Sequence, residues 1–189
     1  MWHYKPALRP GGVITGVVFA LAVWATGAQA QKASADDCTM TAETVWLQEF
    51  PVTASTDGEC GLGDLSLVVR NGTDEVIWSA SYRPEDLFGF QEVYTTEAMA
   101  EALSDWISAN VSQSSTGTLP QWSEGAEGPE YREFPFYPAE DAGRDFYEMT
   151  RDLDLSMVCY VQGHESTLCL FRMPDGQVLE PIGYQSFPG

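Results

Sequence analysis

The amino-acid sequence predicts an α+β fold: a single domain with a mostly antiparallel sheet, two main helices and two disulfide bonds. Three observations indicate this class. Residues 65–80 alternate apolar and polar side chains around a polar turn, and residues 155–173 consist of two apolar runs around another, and both patterns are typical of β-hairpins. Residues 96–110 instead carry apolar side chains at helical spacing. The chain also contains four cysteines, an even number.

The hairpin at 155–173 decides the cysteine pairing. When its turn is centred on His164, Cys159 lies opposite Cys169, and opposed antiparallel residues have Cα atoms roughly 4.5–5.5 Å apart, within reach of a disulfide. This register selects Cys159–Cys169 and leaves Cys38–Cys60 as the second bond. A zinc site is the weaker interpretation, because the sequence has no C-x-x-C spacing. Both faces of the hairpin are apolar, so we expect its strands in the interior of the sheet.

The first 30 residues predict a secretory signal peptide. Lys5 and Arg9 precede an uncharged run, and the small residues Ala28 and Ala30 mark a cleavage site after Ala30. An uncleaved anchor is the alternative, although a membrane span usually takes about 20 apolar residues. Residues 31–189 then form the predicted domain. An even number of cysteines in an exported chain favours disulfides and a periplasmic or secreted location.

The charge of the chain narrows the range of partners. The first 30 residues hold two of the nine basic residues and none of the 28 acidic ones, so the mature chain has 7 basic and 28 acidic residues, a net charge of −21. Nucleic acid and anionic membranes are disfavoured, because proteins bind them through Lys and Arg. A basic protein is a compatible partner. Solubility of an exported protein is the alternative explanation of the charge.

The first half of the mature chain is predicted to form strands followed by a helix. Residues 44–50 form a strand that Pro51 ends or confines to a sheet edge. A four-residue turn at 71–74 pairs Val69 with Val76. The main helix is expected at Thr96–Asn110, with Thr95 as its N-cap. Seven apolar residues are expected in the core: Leu87, Phe88, Phe90, Met99, Leu103, Trp106 and Ile107.

The second half is predicted to contain a loop, a helix and three strands. Residues 112–137 form a long loop within the domain, since Ser, Gly, Thr and Gln dominate its first part. The second helix is expected to begin at Pro138, with Ala142, Phe146 and Met149 on one face. The hairpin at 155–173 is followed by a third strand at 177–186.

Two groups of residues are candidates for partner binding. The loop carries Trp122, Tyr131 and Phe136, which either pin it to the core or form a binding surface. Glu97, Glu101 and Asp105 follow one another at helical spacing and oppose each other by about 0.3 kcal/mol per pair. This row is either a solvated face or a surface for a basic partner.

Catalytic and metal-binding motifs are not recognisable in the sequence, and no cofactor is expected. His164 is the single mature histidine and is expected at a hairpin tip, without the convergent partners of a triad. The tightest carboxylate pairs are interpreted as surface charge: Asp36 with Asp37, Glu140 with Asp141, and Asp152 with Asp154.

The sequence therefore favours a non-enzymatic exported protein that binds a macromolecular partner. The partner is a basic protein at the acidic face or a cell-envelope glycan at the aromatic loop, and no membrane span is expected after signal cleavage. Two alternatives remain open: a small envelope hydrolase that uses paired carboxylates, and a structural or accessory envelope protein. A hydrolase is expected to bring two carboxylates together in a cleft, with raised pKa values.

Overall fold

The structure, a computed structural model, describes residues 36–130, 133–176 and 178–187. The predicted signal peptide and its cleavage site lie outside these residues. The strands are β1 Met40–Trp46, β2 Phe50–Thr56, β3 Leu65–Arg70, β4 Val76–Tyr82, β5 Val111–Ser115, β6 Phe136–Pro138, β7 Ser156–Val161, β8 Ser166–Arg172 and β9 Leu179–Ser186. The helices are α1 Thr96–Ile107 and α2 Arg144–Asp152, and short 3-10 turns lie at Pro84–Asp86 and Thr116–Thr118. Within the described ranges, neither helix has the length and apolar character needed to cross a membrane.

The strands form two antiparallel sheets. The first sheet has the order β1-β2-β3-β4, and the second has the order β5-β7-β8-β9-β6. The predicted α+β class, with antiparallel pairing and two helices, is confirmed. The strands divide between two sheets where one sheet was expected, because apolar alternation identifies strands but does not say which strands pair.

The hairpin of β7 and β8 has the predicted register. Cys159 pairs with Cys169, Val158 with Leu170, and the flanking residues follow in step. The Cys159–Cys169 disulfide closes across the pair, with Cα atoms 4.0 Å apart. The second predicted disulfide, Cys38–Cys60, is also formed. Both strands are interior to the second sheet, as expected.

The hairpin of β3 and β4 has a different register from the predicted one. Val69 pairs with Trp78 rather than with Val76, and a bulge follows at Arg70. Asn71 explains the shift, because its buried side-chain oxygen accepts hydrogen bonds from the backbone N–H groups of Thr73 and Glu75, both at 3.0 Å. This local network lengthens the turn by one residue and leaves Val76 exposed.

The N-terminal strand is part of a hairpin that the sequence did not predict. β1 ends at Trp46 and β2 starts at Phe50, so the chain reverses before Pro51. Pro51 pairs with Val45 of β1, and the pairing of β2 with β3 begins only at the next residue, Val52. The proline, which has no N–H, therefore interrupts no hydrogen bond of the β2–β3 ladder. The helix α1 is confirmed, with Thr95 accepting from the N–H of Ala98 at 3.2 Å, but it ends at Ile107.

The region between the helices differs most from the prediction. β5 and β6 occupy both ends of the predicted loop 112–137, because their backbones pair with β7 and β9 although β5 has no apolar alternation. Helix α2 begins at Arg144, six residues after Pro138, with Gly143 as its N-cap. It buries Tyr147 and Thr150, whereas Phe146 and Met149 are exposed. The sequence placed the helix start at Pro138, because proline suits the first helical turn, whereas residues 136–138 pair with β9 as a strand.

Two hydrophobic cores hold the described residues together. The larger core includes α1, the inner face of the first sheet and one face of the second sheet, represented by Val158, Tyr160 and Leu170. The smaller core lies on the opposite face of the second sheet, where Met157, Cys169 and Phe171 meet Leu119 and residues near α2. The second sheet is therefore covered on both faces, as its apolar sequence predicts.

Candidate functional site

One face of the second sheet, which we call the front face, carries the smaller core at one end and open surface at the other. The strand register places its residues: Ser112 pairs with Cys159, which pairs with Cys169, while Thr167 pairs with Gln185. Paired residues of neighbouring strands share a face of a sheet, as do residues two apart within one strand, so Ser114, Met157 and Phe136 point the same way.

A cavity of about 490 Å³ opens on the front face. Its floor is formed by Met157 and the Cys159–Cys169 disulfide, and its rim by β5, β9 and the segment before β6. Fifteen residues line it: Ala109, Asn110, Val111, Ser112, Ser114, Thr118, Leu119, Pro120, Phe136, Met157, Cys159, Thr167, Cys169, Gln185 and Phe187. Every one of these side chains is uncharged. The polar ones end in hydroxyl or amide groups, which both donate and accept hydrogen bonds.

Phe136 forms one wall of this cavity because Gly183 leaves room for its ring. Gly183 lies opposite Cys169 in the β8–β9 ladder, and a Cβ atom at this position would lie only 2.6 Å from the Phe136 ring. The ring is 7% exposed and packs against Tyr147, with centroids 6.1 Å apart. The wall is therefore fixed by the core below it.

The segment 118–122, whose first three residues form another wall of the cavity, is fastened to α2. Four side chains of α2 form hydrogen bonds with backbone groups of this segment. They are Arg151 Nε to Leu119 O at 3.1 Å, the Tyr147 hydroxyl to Pro120 O at 2.8 Å, Arg144 Nε to Trp122 O at 3.2 Å, and the carboxylate of Glu148, which accepts from Trp122 N at 2.6 Å. These bonds satisfy polar backbone groups outside any sheet and hold the wall in place.

A second cavity of about 290 Å³ continues from the first. Asn110, Thr167 and Phe187 line both cavities. The rest of its lining is Phe88, Val161, Gly163, His164 and Ser166. Phe88, which the sequence placed in the core, is 54% exposed here. The two cavities adjoin, since they share three lining residues, and we call them together the front groove.

The end of the front groove is closed by residues that are already hydrogen-bonded. The His164 ring contacts the side-chain nitrogen of Gln91 at 3.0 Å and the backbone carbonyl of Glu85. Phe187 donates its backbone N–H to Glu165 O at 2.6 Å, and its ring lies 4.9 Å from that of Phe134. His164 thus ties the hairpin tip to the loop before α1, a structural role consistent with its predicted position at a turn.

The structure separates the predicted aromatic site residues. Phe136 lines the first cavity from its buried wall. Trp122 is half-buried outside the cavity, where its ring lies 5.7 Å from Tyr147 and its indole N–H donates to Ala126 O at 3.0 Å. Tyr131 lies outside the described residues. The segment that ends at Trp122 is held to α2 by hydrogen bonds to its backbone.

The predicted acidic row is exposed along α1. Glu97, Glu101 and Asp105 all lie on the solvent side, while the buried face consists of Met99, Leu103, Trp106 and Ile107. All five arginines of the described residues are engaged elsewhere: four contact carboxylates, as Arg172 does with Glu49 at 3.1 Å, and Arg144 binds the Trp122 carbonyl.

The carboxylate pairs noted in the sequence are exposed and lie outside the front groove. Their members are Asp36, Asp37, Glu140, Asp141, Asp152 and Asp154. The pKa of Asp37 is lowered, first by a hydrogen bond from the backbone N–H of Thr39 and then by one from its hydroxyl. The described residues contain no group of three or more His, Cys, Asp or Glu side chains arranged to hold a metal ion.

Several residues of the front groove escaped the sequence-based prediction. Ser112, Ser114 and Gln185 sit on strands whose role in the groove follows only from pairing with β7 and β8. The predicted hairpin register placed Thr167, Cys159 and Cys169 on one face, which was expected to be buried rather than to form the floor of a groove.

No protein-family model, curated protein or solved structure matches this chain. The fold and the front groove are therefore the basis for assigning a function.

Proposed function

We propose that the mature chain is an exported, non-enzymatic binding protein that holds a neutral cell-envelope glycan in the front groove. The observation that carries this proposal is that the described residues lining the groove include no Asp, Glu, Lys or Arg, in a chain with 28 acidic residues. The two disulfides are those expected of a protein that works in an oxidising compartment.

The chemistry of the first cavity suits a sugar. Sugars present hydroxyl groups at their edges and C–H groups on their faces. Ser112, Ser114 and Gln185 offer donors and acceptors around the rim, and Phe136 and Phe187 offer apolar surface. The volume of about 490 Å³ lies within the range of roughly 300–1,000 Å³ that is usual for ligand sites.

Binding to immobilised envelope glycans tests the proposal. Ser114→Phe places a ring over the first cavity from the exposed strand β5, and we expect it to abolish glycan binding without unfolding the protein. Ser79→Phe, at an exposed position on β4, is the matched control. Equal binding by the wild type and Ser114→Phe would contradict a site in the first cavity.

A second candidate function is binding of a basic protein at the acidic face of α1. It is favoured by the exposed row Glu97, Glu101 and Asp105, which has no described arginine among its contacts. Association of this kind is expected to weaken as salt screens the charges.

A pull-down from envelope extract distinguishes the two candidates. We expect a basic partner, if it uses α1, to elute at high salt and to be lost when Glu97, Glu101 and Asp105 are replaced by Gln, Gln and Asn. Replacement of Glu124, Glu127 and Glu130 by Gln removes the same charge from another exposed segment and serves as the control. Loss with both triple variants would indicate general attraction by net charge rather than a site on α1.

A further inference from the structure

We infer that the front groove takes an oligosaccharide whose sugars carry acetamido groups, with one sugar ring in the first cavity and an acetamido methyl group in the second. This inference rests on the proposed function and specifies its ligand. The observation behind it is that the two connected cavities differ in chemistry.

Because the two cavities of the front groove adjoin, we expect a ligand that is longer than one sugar. Asn110, Thr167 and Phe187 line both cavities, so a ligand that fills the first can pass directly into the second. The cavities measure about 490 and 290 Å³. A single sugar in the first cavity leaves the second one unfilled, and filling adjoining apolar space adds binding free energy.

The second cavity is suited to a methyl group next to an amide. Phe88, Val161 and Phe187 supply its apolar lining. Asn110 and Thr167, at the junction, supply an amide and a hydroxyl. An acetamido group has the same two parts, since its methyl group needs apolar contact and its N–H and C=O need hydrogen-bond partners.

The polar groups of His164 do not alter this character. Its ring nitrogens face Gln91 and the backbone carbonyl of Glu85, so the imidazole is oriented by contacts on the far side of the hairpin tip.

Acetylation distinguishes the inferred ligand from plain glucose polymers, which have hydroxyl groups in place of the acetamido groups.

An extended peptide is the competing occupant and fits the groove less well. Peptides that join a sheet add to an edge strand, where free backbone N–H and C=O groups are exposed. The floor of the front groove is the face of β7 and β8, two interior strands whose backbone groups are paired in the ladders on both sides. The face offers side-chain hydroxyls, amides and rings, which are the groups that recognise sugars.

Calorimetric titration of the mature protein tests the inference with three probes: N-acetylglucosamine trimer, glucose trimer of the same linkage, and an uncharged acetylated tripeptide amide. We expect the acetylated trimer to bind at least about tenfold more tightly than the glucose trimer, the scale of one well-placed apolar group. Phe88→Ser removes an exposed ring from the second cavity and should erase this preference. Tyr94→Ser, an exposed aromatic outside both cavities, should leave it intact.

The remaining outcomes separate this inference from the proposed function. Equal binding of the two sugar trimers, or an acetyl preference that survives Phe88→Ser, overturns the inference and leaves a glycan-binding groove. Binding of the tripeptide alone, or of none of the three probes, overturns both.

Discussion

The hydroxyl of Tyr160 joins the two sheets inside the larger core. Tyr160 is fully buried on β7, and its hydroxyl contacts the Trp78 indole N–H at 3.0 Å and the Tyr82 hydroxyl at 2.9 Å, both on β4. Its ring also lies 5.5 Å from that of Trp46. Desolvation by burial raises the pKa of Tyr160 far above its ordinary value of 10.0, and it raises the pKa of Tyr82 as well.

These shifts predict that the fold loses stability in alkaline solution. A raised pKa in the folded state means that the unfolded chain releases its tyrosine protons first. The free energy of unfolding is therefore unaffected by Tyr160 below pH about 10 and falls as the pH rises towards the folded pKa. We expect unfolding followed by circular dichroism to coincide with the appearance of tyrosinate absorbance above pH about 10. Tyrosinate signal from all mature tyrosines before any loss of structure would contradict this.

Replacement of Tyr160 by Phe tests the hydroxyl alone. The variant leaves the half-buried Trp78 N–H without its partner, so the cost is expected at the lower end of the about 1–3 kcal/mol of a fully buried unsatisfied donor. We expect a lower denaturant midpoint at neutral pH with an unchanged slope. Tyr94→Phe, at a position 64% exposed, is the control and should leave the midpoint unchanged.

The sequence predicts part of this arrangement. It places Tyr160 opposite Leu168 on a covered face of its hairpin, and both points are confirmed. Its contacts with Trp78 and Tyr82 span about 80 positions of the chain and depend on how two sheets pack. The periodicity of apolar residues indicates only which side of a strand is buried, so it cannot predict which residues of another sheet Tyr160 contacts.

At the scale of elements, two local features were predicted correctly, whereas the β3–β4 register, the start of α2 and the long-range pairing of β5 were not. The β7–β8 hairpin and the cap of α1 are set by residues within one turn or one hairpin, and both are confirmed. β5 is a strand because β7 lies beside it, although its own sequence, VSQSS, is polar. The rim of the front groove depends on this same pairing and was not predicted. The disulfide at its floor was predicted, because it follows from the register of the β7–β8 hairpin alone.

The two disulfides are predicted to differ in their contribution to stability. Cys38–Cys60 spans 22 positions and Cys159–Cys169 spans 10. On the loop-entropy model each contributes about 3 kcal/mol, with the longer loop ahead by about 0.7 kcal/mol. We expect the paired Ala variant of Cys38 and Cys60 to have the lower free energy of unfolding. Denaturant titration of both paired variants measures this, and free thiols in the native wild type would overturn the pairing itself.

The hydrogen bonds between α2 and residues 119–122 can be tested through the rate of hydrogen exchange at the Trp122 amide. The Trp122 N–H donates to the Glu148 carboxylate at 2.6 Å, and Glu148 lies 3.6 Å from Arg151. Glu148→Ala removes the acceptor, so we expect hydrogen exchange at the Trp122 amide to accelerate at least about tenfold, since a hydrogen bond to a charged group contributes about 1.5–3 kcal/mol. Glu127→Ala, an exposed carboxylate on the same connection, is the control. An unchanged Trp122 exchange rate would show that the segment is held by its other contacts.

Over the whole molecule, negative charge exceeds what the arginines neutralise. The described residues include all 28 acidic side chains and five arginines. Each of these five arginines has a carboxylate or carbonyl partner, and none of those partners is Glu97, Glu101 or Asp105 of α1. The charge balance was available from composition alone, whereas the concentration of uncharged side chains in the front groove required the pairing of the second sheet.

This excess predicts that sodium chloride stabilises the fold. Self-repulsion of surface charges opposes the compact state, and the screening length shortens from about 10 Å at 0.1 M salt to about 3 Å at 1 M. We expect the melting temperature to rise across this range, with most of the change at the low end. Chloride is the appropriate anion, because sulfate also strengthens hydrophobic burial and would raise the melting temperature of a neutral protein.

The position of the charges gives the salt experiment a second readout. If the repulsion is concentrated along α1, the triple replacement of Glu97, Glu101 and Asp105 by Gln, Gln and Asn should raise the melting temperature at low salt and reduce its dependence on salt. The same number of charges removed at Glu124, Glu127 and Glu130, on a connection rather than a helix, should have the smaller effect. A wild-type melting temperature that does not change with salt would mean that the acidic side chains are spaced widely enough for water alone to screen them. The acidic row on α1 would then no longer be evidence for a basic partner.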